Sequence, residues 1–336
     1  MRRISEDYFH NSNLKCIFCL LSLNVSRHLC PEITPNLNMM HLELSILISS
    51  VLGLGLAIPS NTCIVMGNLD IIRKKGKLSP TDVIFLAKGI VNILLQCVLS
   101  LHGMFFVFSP AILSIIQVYV FVCTSVYFLT YYSFWLTAWL SVHYCTTITN
   151  LSYGFFIWLK RIVSNFLREV LFLTALGMFI VNLLWFWVVY EESPLQSPEN
   201  ITEDYVLVSL SYVVPANIVG VILPFCLSLL CLVLTFSFLL RHIRRVKNND
   251  SGSTRPNLQA HVTALRTIFF LLLMFTFYCM SQVLLFLPNS SLVIIIWELR
   301  LLSPSVEAAV IFQASNKLRR IILRRFWTRS WRNTET

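Results

Sequence analysis

Charge is scarce in this chain. Asp, Glu, Lys and Arg supply 12% of its 336 residues, about half the roughly 25% of an ordinary globular protein. A water-facing surface cannot be built from so few charges unless most of the exterior faces lipid, which excludes a soluble enzyme. Hydrophobic residues reach 56% and the mean hydropathy is +0.72, so an all-α polytopic membrane protein is expected. Several patterns that would signal other functions are missing. None of the ten cysteines forms a Cys-x-x-Cys pair flanked by histidines, so neither zinc nor a disulfide framework is expected. The cysteines outside the leader (63, 97, 123, 145, 226, 231 and 279) lie in apolar runs and read as small hydrophobes. No nucleophile–base spacing stands out among the histidines, serines and carboxylates, so no catalytic residue and no cofactor is expected. Barrel-type alternation and a repeat of inverted halves are also lacking.

What is present is a series of long apolar runs. A span needs about 20 apolar residues at 1.5 Å rise each, and seven stretches qualify: 44–69, 83–108, 113–141, 168–190, 206–240, 264–288 and 290–314. Charged or turn-rich segments close them, such as Arg73-Lys74-Lys75-Gly76-Lys77 and Asn248-Asn249-Asp250-Ser251-Gly252. Internal Pro59, Pro215, Pro224 and Pro304 are tolerated in lipid as kinks.

The net charge of +10 suggests no nucleic-acid partner once its distribution is read. The segments following spans one, three, five and seven hold 20 of the 26 Lys and Arg, and the alternate loops hold none. By the positive-inside rule the C-terminus is cytosolic and the N-terminus outside, in the plasma membrane. The 191–205 loop is acidic and carries the sequon Asn200-Ile201-Thr202, expected to be glycosylated on the outer side. Asn150 and Asn249 also begin sequons but fall on the inner side, and Asn289 lies close to the bilayer. Residues 1–40 are read as a tail, disordered or an extension of the reading frame before a true start at Met39 or Met40. The bundle is assigned to 41–316 and a basic cytosolic helix or tail to 317–336. In that tail Phe326, Trp327 and Trp331 interleave with cations, the pattern of an amphipathic helix that binds anionic membrane lipids.

Seven spans with an outside N-terminus is the layout of a G-protein-coupled receptor. The marks of the large rhodopsin-like class are missing. Ser141-Val142-His143-Tyr144 stands where Asp-Arg-Tyr would end span three, and no Asn-Pro-x-x-Tyr closes span seven. Other motifs recur along the chain. Asn61-Thr-Cys-Ile-Val-Met-Gly-Asn68 lies in span one, and Leu78-Ser79-Pro80-Thr81-Asp82 opens span two. Trp135-Leu136-Thr137-Ala138-Trp139-Leu140-Ser141-Val142-His143-Tyr144 ends span three, and Leu223-Pro224-Phe225 lies in span five. Ala260-His261-Val262-Thr263-Ala264-Leu265-Arg266 begins span six, and Pro304-Ser305 and Lys317-Leu318 lie at the end of span seven. In this order they resemble the bitter taste receptors (taste receptor type 2), with the span-six motif the most specific. Departures mark a divergent member. Asn92 replaces that family's span-two arginine, Thr147 its lysine after span three, and Glu307-Ala308 its His-Ser. Gly103 stands at its upper span-two tryptophan.

The resemblance implies a chemosensory receptor that binds small, often apolar tastants in the outer half of the bundle. Its expected partner is a heterotrimeric G protein of gustducin-like or inhibitory class. Vomeronasal type 1-like receptors share the architecture, and a small multi-pass transporter or channel is the alternative from another class. Thr130, Tyr131, Tyr278 and Trp297 are the expected ligand positions, in a pocket between spans three, five, six and seven. The same aromatics could instead only pack helices. Arg241, His242, Arg244, Arg245, His261 and Arg266 are expected to face the G protein, with membrane anchoring as the competing role. Ionisable residues inside a span are candidates by default. Lys88 and Glu307 are predicted to approach each other and, with Asn61 and Asn92, to form a polar cluster between spans one, two and seven. Alternatively Lys88 snorkels to the headgroups. Arg300 lies seven residues before Glu307 on roughly the same face, and either contacts an acidic ligand or pairs with Glu307 as a lock, the second being favoured.

Overall fold

The computed structural model describes residues 36–113, 115–149, 154–191, 215–248, 255–284, 290–315 and 318–321. Among the described residues there is no strand, and almost all are helical. The elements are α1 (Asn36–Lys75), α2 (Pro80–Phe108), the short α3 (Pro110–Leu113), α4 (Ile116–Ile148), α5 (Gly154–Asn165), α6 (Leu167–Glu191), α7 (Leu223–Asn248), α8 (Arg255–Leu284) and α9 (Ser290–Ala314). Seven of these, all but α3 and α5, have 25 residues or more. They form a seven-helix transmembrane bundle.

Five described stretches are long and apolar enough to cross a membrane: Glu43–Lys75, Pro80–Phe108, Val120–Ile148, Leu167–Leu184 and Pro215–Arg241. Val262–Tyr278 is a shorter apolar stretch within α8, and α9 carries the charged residues Glu298, Arg300 and Glu307. Helices outrun the apolar windows that mark them. α1 begins at Asn36, inside the segment read as tail, and runs on through Arg73, Lys74 and Lys75, cations that favour the negative end of the helix dipole.

Local sequence explains the α1–α2 corner. Gly76 adopts φ 68° and its N–H donates to the Ile72 carbonyl at 2.7 Å, the left-handed residue that commonly ends a helix. Three residues later Ser79 caps α2, its Oγ accepting the Asp82 N–H at 3.2 Å. Pro80 occupies the first turn, where a missing N–H is harmless. So short a connection makes α1 and α2 antiparallel neighbours. Gly103 holds them close, since a Cβ there would lie 2.6 Å from Ser50 Oγ and 3.2 Å from Ile46 Cγ2. Small residues at a contact let backbones approach where lipid supplies no hydrophobic drive. The position of the family tryptophan is therefore filled here by helix-to-helix contact.

Helix α4 is the central post, packed on α2, α6, α7 and α8. Inside the bundle, 56% of its most apolar window is buried, against 22% for α6. Outward on α6, Phe172, Leu173, Phe179, Leu184 and Trp187 are exposed, as a lipid-facing surface requires. Between α4 and α6 lies α5, a helix of 12 residues in the segment that follows the third span. Its Val163 is buried, while Ile157, Trp158, Lys160 and Arg161 are exposed.

The fifth span departs from a regular α-helix. Residues Ile218–Ile222 form a π turn in which the Leu223 N–H donates to the Ile218 carbonyl. In that register the next donor would serve Val219, but the next residue is Pro224, which has none. The freed Val219 carbonyl instead accepts the indole N–H of Trp135 at 3.1 Å. The wide turn brings Gly220 onto Tyr131, where a Cβ would lie 2.5 Å from the ring.

Candidate functional site

A cavity of about 230 Å³ lies between α2, α4, α8 and α9. Helical spacing builds its walls. Val126, Thr130, Ser133 and Phe134 form one stripe of α4, Leu95 and Leu99 lie one turn apart on α2, and Arg300, Ser303 and Glu307 share a face of α9. Met274, Phe277 and Tyr278 close the α8 side. Most of the lining is apolar, with a few polar groups converging on it, the usual chemistry of a small-molecule site.

At one end the Lys88 ammonium donates to Glu307 Oε2 at 2.8 Å and to Ser133 Oγ at 3.0 Å. The Ser133 hydroxyl donates in turn to Glu307 Oε2 at 3.3 Å. Lys88 is 0% exposed, so its side chain turns inward instead of snorkelling. This ion pair ties α2, α4 and α9 together. Beside it, Asn61 Nδ2 donates to the Pro304 carbonyl at 3.1 Å and Asn92 Nδ2 donates to Asn61 Oδ1 at 3.3 Å. The four polar residues thus occupy adjoining places on α1, α2 and α9.

Arg300 lies about 10 Å farther along α9, at 1.5 Å per residue, and its guanidinium carbon sits 5.5 Å from the centre of the Tyr278 ring. That contact is within cation–π range. Nε and Nη2 of Arg300 are buried without a hydrogen-bond partner. The favoured lock between Arg300 and Glu307 is not formed. The carboxylate that would complete it is taken by Lys88, which approaches from α2 at the same level, while Arg300 stands two turns away.

The expected ligand positions divide. Thr130, Tyr278 and Arg300 line the cavity. Tyr131 does not: its ring lies under Gly220, and its hydroxyl donates to Asn217 Oδ1 at 3.1 Å. This contact also explains why the fifth span is absent from the lining, where α2 takes its place. Phe134, Phe225 and Phe275 seal that side, with Phe134 and Phe275 stacked at 3.8 Å between centroids. The side chain of Trp297 lies outside the described residues, as do those of His242, Arg244, Arg245 and His261. Asn200 and most of 317–336 lie outside them too. Arg241 and Arg266 are exposed on α7 and α8. Ser133, Leu95 and Leu99 were missed in the sequence, although each has a helical signal. Ser133 follows Thr130 by three, and Leu95 and Leu99 follow Lys88 by seven and eleven, which places them on related faces.

Residues 39–330 match the sequence profile of the family described as Taste receptor protein (TAS2R). The chain belongs to this family. It is similar to taste receptor type 2 member 9 of Homo sapiens, 29% identical over 299 residues that cover 83% of this chain and 91% of that one. It is also similar to member 8 of Papio hamadryas, 28% identical over 76% of this chain and 86% of the relative. Member 40 of Gallus gallus is 29% identical over 67% and 73%. The protein is a multi-pass membrane receptor of the chemosensory, bitter taste-like kind, and not an enzyme. For a taste receptor, the cavity enclosed by α2, α4, α8 and α9 is the candidate ligand site.

Proposed function

We propose that the receptor binds small, aversive or bitter molecules in this cavity and transmits their binding to a heterotrimeric G protein of gustducin-like or inhibitory class. The observation that carries the reading is the cavity itself, with Thr130, Tyr278 and Arg300 on its wall and an ion pair joining three helices at its end. A ligand there touches α4, α8 and α9 at once. Activation requires only that it prefer one arrangement of those helices, about 1.4 kcal/mol for each tenfold shift in population.

The orientation rests on the loop charges: the N-terminus faces outward and the C-terminus the cytosol of a plasma-membrane receptor. Arg241, His242, Arg244, Arg245, His261 and Arg266 then flank the cytosolic junction of α7 and α8, where the G protein docks. Asn200 carries the glycan, and the tail from Lys317 onward lies along the inner leaflet. The test is a calcium screen of the receptor with a promiscuous G-protein chimera. Agonists should lose at least tenfold in potency in Tyr278→Ala and Thr130→Ala at unchanged surface expression. Agonism untouched by both variants would refute the site, and solute flux without ligand would refute the receptor.

A further inference from the structure

We infer that the preferred ligands are small organic monoanions with an apolar body, held through the Arg300 guanidinium. The inference rests on the receptor reading of this cavity and names its ligand class. Two of the lining residues carry full charges, Arg300 and Glu307. Glu307 is neutralised by Lys88 at 2.8 Å, so the cavity keeps one excess positive charge, on Arg300. That guanidinium is incompletely satisfied. Nε and Nη2 are buried without hydrogen-bond partners, and no ion pair involves Arg300 among the described residues. Glu298, two residues earlier, instead accepts from Ser45 Oγ of α1 at 2.5 Å. Tyr278 covers the cation from one direction without supplying an oxygen anion.

A guanidinium in a low-dielectric cavity is a strong partner for a carboxylate or sulfonate, which it can grip through two parallel hydrogen bonds. The apolar remainder of such a ligand meets Leu95, Leu99, Val126, Met274 and Phe277. A volume near 230 Å³ falls below the roughly 300–1,000 Å³ common for ligand pockets. One or two fused rings fit, and a glycoside or alkaloid of many rings does not. A cationic ligand is disfavoured because the carboxylate it would seek is already occupied.

The test uses the full-length receptor in nanodiscs, with thermal stabilisation as the binding readout and calcium release in cells as the signalling readout. The probes are 2-naphthoate, 2-naphthalenesulfonate, methyl 2-naphthoate and 2-naphthylmethylammonium, to millimolar concentration. The two anions should bind the wild type at least about tenfold more tightly than the ester, the effect of one to two charged hydrogen bonds. Arg300→Gln should bring that ratio to about one. Arg300→Lys should keep the preference for anions at lower affinity. The wild-type ratio of acid to ester decides the matter even where a variant fails to fold. Equal binding of acid and ester, preference for the ammonium, binding by none of the four, or an acid preference that survives Arg300→Gln would each overturn the inference. Agonism by larger neutral compounds would then leave the receptor reading intact. Anion binding that never releases calcium, with no agonist in any panel, would instead sink the signalling role and leave the anion site standing.

Discussion

The Lys88–Glu307 pair offers the sharpest energetic test of the bundle. Glu307→Gln keeps the shape of the side chain and removes its charge. It leaves the Lys88 ammonium, 0% exposed, with the Ser133 hydroxyl at 3.0 Å and a neutral amide in place of the carboxylate at 2.8 Å. Removing one partner of a buried pair costs about 3–5 kcal/mol, because the other charge stays desolvated. Lys88→Met should cost less, since the Glu307 carboxylate borders the cavity and its side chain is 8% exposed. The double variant Lys88→Met, Glu307→Leu replaces the pair with apolar groups of similar size and should recover most of the loss. Thermal denaturation of purified receptor in detergent, alongside surface expression, completes the double-mutant cycle. A coupling of at least about 2 kcal/mol, or roughly thirtyfold in the unfolding equilibrium, is expected. Strictly additive losses, or Glu307→Gln as stable as wild type, would show that the ammonium is not held by the carboxylate, and the account of how α2, α4 and α9 are joined would fail.

Other consequences follow from single contacts. Trp135→Phe strips the Val219 carbonyl of its N–H donor and should destabilise by about 1–3 kcal/mol. Pro224→Ala in that background restores a backbone donor and should recover part of the loss in the same thermal assay. Gly220→Ala drives a methyl group into the Tyr131 ring, which lies 2.5 Å from the ideal Cβ. It should cost about 1–3 kcal/mol, with partial rescue by Tyr131→Ala measured as surface expression. Gly103→Trp, which restores the aromatic residue of the wider family, should abolish surface expression, because even a Cβ meets Ser50 at 2.6 Å. Val126→Trp fills the cavity from α4 and should lower agonist potency at least tenfold in the calcium assay while the receptor still reaches the surface.

The sequence showed well where the long helices lie and poorly how each is turned. Seven apolar runs and the periodic placement of Lys and Arg follow from composition along one dimension, and lipid imposes the helix on each run. The ranges 83–108 and 290–314 nearly coincide with α2 and α9. Helix α5 escaped notice because its 12 residues are too few for a span and rich enough in Lys and Arg to pass for a loop. Tyr131 was expected in the pocket, beside Thr130, on the family resemblance. Consecutive residues on a helix diverge by about 100°, and the Tyr131 ring lies against Gly220 of the fifth span instead of in the cavity wall.

Composition and order alone determined that this chain is a membrane bundle, which ionisable residues fall within its spans, and which family it joins. These properties are encoded residue by residue and survive any rotation of the helices. Tertiary structure alone decided that Lys88, and not Arg300, claims the Glu307 carboxylate. Three cationic or anionic groups on two helices admit more than one pairing, and the choice falls to the side chains that packing brings to the same level. By that choice one guanidinium is left in the cavity wall without a carboxylate partner.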